Sequence, residues 1–166
     1  MQKIRHIAIS SQHPARAAEF YKKAFGWREI GRSPNLRDNP EEAPRPSGVV
    51  LSDGSINISI LKFGTDQTGV GLEFEGFHHM GVCIDDVQAW ANKVEELGAP
   101  LIVDAHEIPP GAQFEIKFRG PDNVVFDLTD VPWPGSVGLE GDVAPDDQPT
   151  AAATGRNKRR YKQAAE

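Results

Sequence analysis

The sequence contains the same order of elements twice, and this repeat constrains the fold more than any other feature. A strand-like run around His6 precedes an amphipathic helix and, later, a strand-like run that contains Asn57. The counterparts of these residues are His79 and Asp127, which lie 73 and 70 residues further on, and the two helix ends are 72 residues apart. Offsets this steady indicate a tandem duplication.

Each copy has the order expected of a β-α-β-β-β module. Apolar residues at helical spacing predict helices near residues 14–25 and 86–97, and each helix is followed closely by a glycine. The modules are predicted to span about 3–63 and 76–131, within one domain of residues 1–131. This pattern predicts an α+β fold in which two mixed sheets form a curved cup.

Alternation along the strands separates an apolar face, which should pack on the helices, from a second face that lines the cup. Ile7 and Ile9 lie on the apolar face of the first strand, and Met80 and Val82 take that place in the second copy. Small residues beside each cup histidine leave room for a ligand. The residues expected to line the cup are His6, Ala8, Ser10, Asn57, Ser59, His79, Gly81, Cys83, Gln113, Glu115, Lys117, Arg119, Asp127 and Thr129.

Residues 132–166 have a different composition, dominated by Pro, Gly, Ala and Asp and without an apolar period. Such a stretch buries too little apolar surface to offset the entropy of ordering it. It is therefore predicted to be a disordered or loosely packed C-terminal tail, acidic first and basic last. The basic cluster between Arg156 and Lys162 could contact a partner, but a solvated tail explains it as well.

Charge and composition exclude several functional classes. The net charge of −6 does not suit a general nucleic-acid binder, because neutralising phosphates needs a basic surface. A single cysteine, Cys83, rules out an intrachain disulfide. The sequence has no apolar run long enough to span a membrane and no secretory signal pattern at Met1, so a cytoplasmic protein is expected.

Four stretches, in order and at the right separation, resemble the vicinal oxygen chelate superfamily, which includes glyoxalases, bleomycin resistance proteins and extradiol dioxygenases. The resemblance covers about residues 3–131. The stretches are His6-Ile-Ala-Ile, Ala18-Glu-Phe-Tyr-Lys-Lys-Ala-Phe-Gly26, His79-Met-Gly-Val-Cys-Ile-Asp-Asp86 and Pro121-Asp-Asn-Val-Val-Phe-Asp-Leu128.

The resemblance implies that His6, His79 and Asp127 are metal ligands. The fourth position of the glyoxalase-like pattern falls on Asn57, which is neutral and shorter than the usual Glu or Gln, so it is expected to be a weak ligand or a substrate contact. Two histidines and one carboxylate leave coordination positions open, and they suit Fe, Mn, Ni, Co or Zn. His78 precedes His79 and is expected to point away from the cup as a non-ligand.

Glu115 and Lys117 are the candidate catalytic residues. Both are predicted on the cup face, where desolvation could bring the pKa of either group into the range useful for proton transfer. The alternative is a solvent-exposed ion pair at a strand end.

The resemblance implies a metal-dependent enzyme that acts on a small oxygen-chelating substrate, as an isomerase, a lyase or a ring-cleaving dioxygenase. A metal-free protein that binds a small molecule, such as a drug-sequestering resistance protein, is the alternative. A homodimer is expected, because the sheet edges need cover and the superfamily commonly pairs its chains. No nucleic-acid or membrane partner is expected.

Overall fold

The computed structural model describes residues 2–38, 43–103 and 115–144. These residues form one eight-stranded mixed sheet with the strand order β2-β3-β4-β1-β5-β8-β7-β6. The elements of the first module are β1 (Lys3–Ser10), α1 (Pro14–Phe25), β2 (Arg28–Arg32), α2 (Asn35–Asp38), β3 (Ser47–Ser52) and β4 (Asn57–Lys62). Those of the second are β5 (Gly76–Cys83), α3 (Val87–Glu96), β6 (Leu101–Val103), β7 (Ile116–Arg119) and β8 (Val125–Thr129).

The two halves of the sheet confirm the predicted duplication. In each module the first strand runs parallel to the last, as β1 does to β4 and β5 does to β8, and β1 and β5 join the modules in antiparallel pairing. The fold is α+β with two tandem modules, as predicted. The short strands β2 and β6 complete each module at the outer edges, and the sequence pattern had not located them.

The predicted helices begin and end close to the expected residues. Pro14 occupies the first turn of α1, where its missing N–H costs nothing, and Gly26 ends the helix in the left-handed conformation. The side chain of Asp86 caps α3 by accepting a hydrogen bond from the backbone of Ala89.

Each helix packs on its own half of the sheet, so that each module has its own core. The core of the first module includes Leu51, Ile58 and Ile60, and that of the second includes Ile116 and Phe118. The polar faces of the strands are thereby left to line the cup. Among the helices of the described residues, none is long and apolar enough to cross a membrane.

The predicted boundary at Pro132 does not mark the end of the packed chain. Trp133 is 1% exposed and Ser136 is fully buried, so residues 132–139 pack against the domain, whereas residues 140–143 are exposed. One large aromatic side chain supplies contact area that the average composition of the segment did not reveal. The division into a domain of residues 1–131 and a tail stays a prediction, and residues 145–166 lie outside the described residues.

Candidate metal centre

The strand pairing brings the candidate residues of both modules to the middle of the sheet. His6 on β1 lies opposite Gly81 on β5, and His79 lies opposite Ala8. Asp127 on β8 is paired with Gly81 on one side and with Lys117 on the other. Strands β1, β5, β8 and β7 are neighbours in this order, so their cup-facing side chains meet at one place.

Four side chains offer potential ligand atoms that all lie within 4.8 Å of one another. They are His6, His79, Glu115 and Asp127, here called the metal cluster. The two histidines and Asp127 are buried. The cluster therefore combines the three predicted ligands with the predicted proton-transfer residue, and it lies at the seam between the two modules.

The donor atoms of the cluster fit a divalent cation. Among the described residues, neither ring nitrogen of His6 has a hydrogen-bond partner, and Oδ1 of Asp127 also lacks one. His79 Nε2 lies 3.1 Å from Asp127 Oδ2 without hydrogen-bond geometry. Buried polar atoms are rarely left unpaired, because an unpaired group costs about 1–3 kcal/mol. Two imidazoles and a carboxylate are the donor set expected of a transition-metal site.

Lys117 places a positive charge inside the same cluster. Its ammonium lies 2.9 Å from Asp127 Oδ2 and 3.6 Å from Glu115 Oε2. Burial acts to lower the pKa of Lys117, but these two carboxylates raise it, so the side chain stays charged. Burial acts to raise the pKa of Asp127, but Lys117 and His79 hold it well below its ordinary value. Asp127 is therefore ionised, and its Oδ1 is still available to a cation.

Glu115 has the electrostatic environment of a proton-transfer group. Burial and the nearby charge of Asp127 raise the pKa of Glu115 to about 8, because together they outweigh the opposite effect of the Lys117 charge. The alternative of a solvent-exposed ion pair at a strand end does not describe these residues, because Lys117 is only 5% exposed.

The cup histidines are neutral, which is the form that binds metals. Burial lowers the pKa of His6 to about 3 and also lowers the pKa of His79. Nδ1 of His79 lies 2.7 Å from Nδ1 of His78, so this second histidine orients the ring and leaves Nε2 facing the cluster.

The position of His78 corrects the prediction that it points away from the cup. The pairing of β5 with β1 skips from His79 opposite Ala8 to Phe77 opposite Ile9, so His78 is the extra residue of a β-bulge. A bulge breaks the strict alternation on which the prediction relied. The ring of His78 stacks on Phe63 and touches His79, while no atom of it belongs to the metal cluster.

Asn57 has its amide engaged elsewhere in the cup. Its Nδ2 donates to the carbonyl of Pro134 at 2.9 Å, and its Oδ1 accepts from the hydroxyl of Ser59 at 2.7 Å. The residue lies opposite His6 on the neighbouring strand. These contacts are those of a group that organises the cup rather than of a free ligand.

Trp133 is the residue of this site that the sequence analysis missed. Its ring centroid lies 4.9 Å from that of His6, and its Nε1 donates a hydrogen bond to Oε1 of Glu115. Trp133 thus touches both a predicted ligand and the predicted proton-transfer residue. The signal that could have located it was a tryptophan between two prolines directly after the last strand of the repeat.

Gly81 leaves the space that the indole ring of Trp133 fills. A Cβ at this position would lie 2.6 Å from Cζ2 and Cη2 of Trp133 and 2.6 Å from Oδ1 of Asp127. We expect Gly81→Ala to destabilise the protein by about 1–3 kcal/mol, because the buried indole has to move. Urea unfolding would measure the loss. The control is Gly138→Ala, whose Cβ would meet its nearest atom at 3.4 Å; equal effects of both substitutions would contradict the assignment.

Comparisons with known proteins agree with the observed fold. The family model described as Glyoxalase/Bleomycin resistance protein/Dioxygenase superfamily matches residues 3–128. No curated protein matches the chain significantly.

The similar solved structures share the fold at low sequence identity. A hypothetical protein from Bacillus halodurans C-125 is 19% identical, with a TM-score of 0.56 over 76% of this chain and 92% of its own. A Streptomyces coelicolor methylmalonyl-CoA epimerase variant in complex with 2-nitronate-propionyl-CoA is 20% identical, with a TM-score of 0.54 over 76% and 94% of the two chains. A methylmalonyl-CoA epimerase in complex with methylmalonyl-CoA and NH4+ is 19% identical, with a TM-score of 0.55 over 77% and 93%.

Proposed function

We propose that the chain, which belongs to the Glyoxalase/Bleomycin resistance protein/Dioxygenase superfamily, is a metal-dependent enzyme. Its substrate would be a small oxygen-chelating organic molecule. The observation that carries this proposal is the buried metal cluster with its unpartnered donor atoms on His6, His79 and Asp127. These three residues would hold the cation and leave positions open for a substrate. When bound, the cation would supply Lewis-acid polarisation of two neighbouring substrate oxygens. Fe, Mn, Ni, Co and Zn all suit this donor set.

The chain itself would carry out proton transfer. Glu115 lies among the ligands with its pKa raised to about 8, so a small change in its surroundings shifts it between acid and base near neutral pH. Lys117, held charged beside it, would oppose negative charge that develops on the substrate. This pair favours an isomerase or lyase reaction at a carbon next to a carbonyl over the ring-cleaving dioxygenase type.

A second candidate function is metal-free binding of a small molecule, as in a drug-sequestering resistance protein. The observation that favours it is the ion pair between Lys117 and Asp127 at 2.9 Å. In this pair the ammonium of Lys117 already balances the charge of the carboxylate. In that case the polar cup would serve recognition alone.

Thermal unfolding distinguishes the two candidates. We expect EDTA to lower the melting temperature of the purified protein and Co²⁺ or Zn²⁺ to restore it, with a shift of about 5–10 °C at 100 times the dissociation constant. The double variant His6→Ala/His79→Ala should not respond, whereas His13→Ala, outside the metal cluster, should respond like the wild type. A wild type that binds no metal and ignores EDTA would leave only the binding function.

The reaction type is tested by exchange of carbon-bound protons with D₂O, followed by NMR. A suitable panel consists of pyruvate, 2-oxobutyrate, acetoacetate and methylmalonyl-CoA, the last being the compound bound in one of the similar structures. Metal-dependent exchange above the rate without protein would support the isomerase or lyase type.

The predicted homodimer and cytoplasmic location remain parts of this proposal. Among the described strands, β2 and β6 lie at the edges of the sheet, and an unpaired edge is a template for pairing with another chain. The expected partners are a small-molecule substrate and a second copy of the chain, with no nucleic acid or membrane.

A further inference from the structure

The chain returns to the cup after its last strand, and the backbone there is fixed at several points. The hydroxyl of Ser52 donates a hydrogen bond to the carbonyl of Gly135, and the side-chain amide of Asn57 donates one to the carbonyl of Pro134. Ser136 donates back to the carbonyl of Trp133 at 2.7 Å. The segment that carries Trp133 is therefore held by the first module, although the indole reaches into the metal cluster.

The indole occupies a place shaped for it. Gly81 leaves the space that the ring fills, and Gly135 turns with a φ of +70°, where a Cβ would collide with Ile30 and Ser52. A left-handed backbone angle of this kind favours glycine. Two glycines, one on β5 and one in the segment, thus make the position of Trp133 possible.

The indole N–H points at the carboxylate that the proposed reaction requires. Glu115 lies immediately before β7, outside the ladder of hydrogen bonds that fixes the strand residues. Trp133 Nε1 holds one carboxylate oxygen, and the ammonium of Lys117 lies 3.6 Å from the other. Because an indole N–H donates and cannot accept, it selects one orientation of the carboxylate without competing for the proton.

We infer that Trp133 is a positioning residue for Glu115: its indole N–H fixes the carboxylate in the cup, in the orientation from which Glu115 exchanges a proton with the substrate. This inference rests on the proposed proton-transfer function. It assigns Trp133 no contact with the reacting atoms. Its consequence is that removal of the N–H should impair turnover but not binding of the substrate.

The hydrogen bond itself can be tested by NMR without metal or substrate. The protein has three tryptophans, so its ¹H–¹⁵N spectrum has three indole cross-peaks. We expect Glu115→Ala, which removes the acceptor, to shift the Trp133 cross-peak and leave that of Trp90 in place. The matched control is Asp85→Ala, since Asp85 accepts from Trp90 Nε1 at 2.7 Å, and it should shift only the Trp90 cross-peak. A Trp133 cross-peak that does not shift in Glu115→Ala would overturn the inference.

Kinetics test whether the contact positions Glu115 or is merely structural. Trp133→Phe keeps an aromatic ring against His6 and Gly81 but removes the N–H. On the panel compound that the wild type exchanges fastest, we expect kcat to fall about 10- to 100-fold with KM unchanged, the effect of losing a hydrogen bond to a charged group. The same substitution in a Glu115→Gln background should cause no further loss. Trp27→Phe is the control and should retain the wild-type kcat, because Trp27 is a half-buried residue packed against the core of the first module.

The outcomes separate this inference from the proposed function. A wild type that exchanges a panel compound while Trp133→Phe keeps its full kcat would overturn the inference and leave the function standing. A wild type that exchanges none of the panel would count against the proposed proton transfer, and the positioning role would fall with it. A shifted NMR cross-peak would then identify a structural contact only.

Discussion

Replacing Asp127 by alanine is expected to lower the affinity for Co²⁺ or Zn²⁺ by about 100-fold or more. Even changes outside the direct ligand set cost about 10–100-fold in metal affinity, and Asp127 is predicted to bind the cation directly. Its Oδ1 is buried and unpartnered within the described part of the chain, while Oδ2 is held by Lys117. Competition with a chromophoric chelator would measure the affinity.

Asn57→Ala is the matched comparison within the cup. Its amide is engaged by Pro134 and Ser59, so the substitution should change metal affinity only slightly. Asp127→Ala also leaves the Lys117 ammonium without its closest carboxylate, so Asp127→Asn, which keeps the volume, is the companion variant if the alanine variant unfolds. Loss of metal in Asn57→Ala with retention in Asp127→Ala would show that the ligand assignment is wrong.

The repeat explains why so much of this site could be predicted from the sequence. His6 and His79 occupy equivalent first strands, and the pairing of parallel first and last strands brings Asp127 beside them. Alternation then places Glu115 and Lys117 on the same face. The structure brings all five side chains together, although their assignment as ligands and catalytic residues remains a prediction.

Features that break a regular period could not be predicted in this way. The bulge at His78 inserts one residue into β5, and no pattern of alternation reveals where such an insertion occurs. Trp133 lies in a segment whose composition is that of a tail. Its buried indole nevertheless packs against Gly81 and holds the segment to the cup. Composition averages over many residues, whereas this contact depends on two of them.

Glu115→Gln is expected to retain metal and substrate binding and to lose turnover by about 10²–10⁴-fold, the contribution typical of a general acid or base. Glutamine keeps the size of the side chain and can still accept the hydrogen bond from Trp133, but it can neither take up nor release the proton. Because the protein is predicted to hold the metal through His6, His79 and Asp127, the loss should appear in kcat and not in metal affinity.

The measurement is the rate of proton exchange in D₂O on the panel compound that the wild type turns over, with metal affinity determined on the same samples. Glu73→Gln is the control, since Glu73 pairs with Arg45 outside the metal cluster and should retain full activity. If Glu115→Gln loses metal together with activity, Glu115 is a ligand and another group must move the proton. If the variant remains fully active, proton transfer does not pass through Glu115, and a redox reaction at the metal becomes the better assignment for this cup.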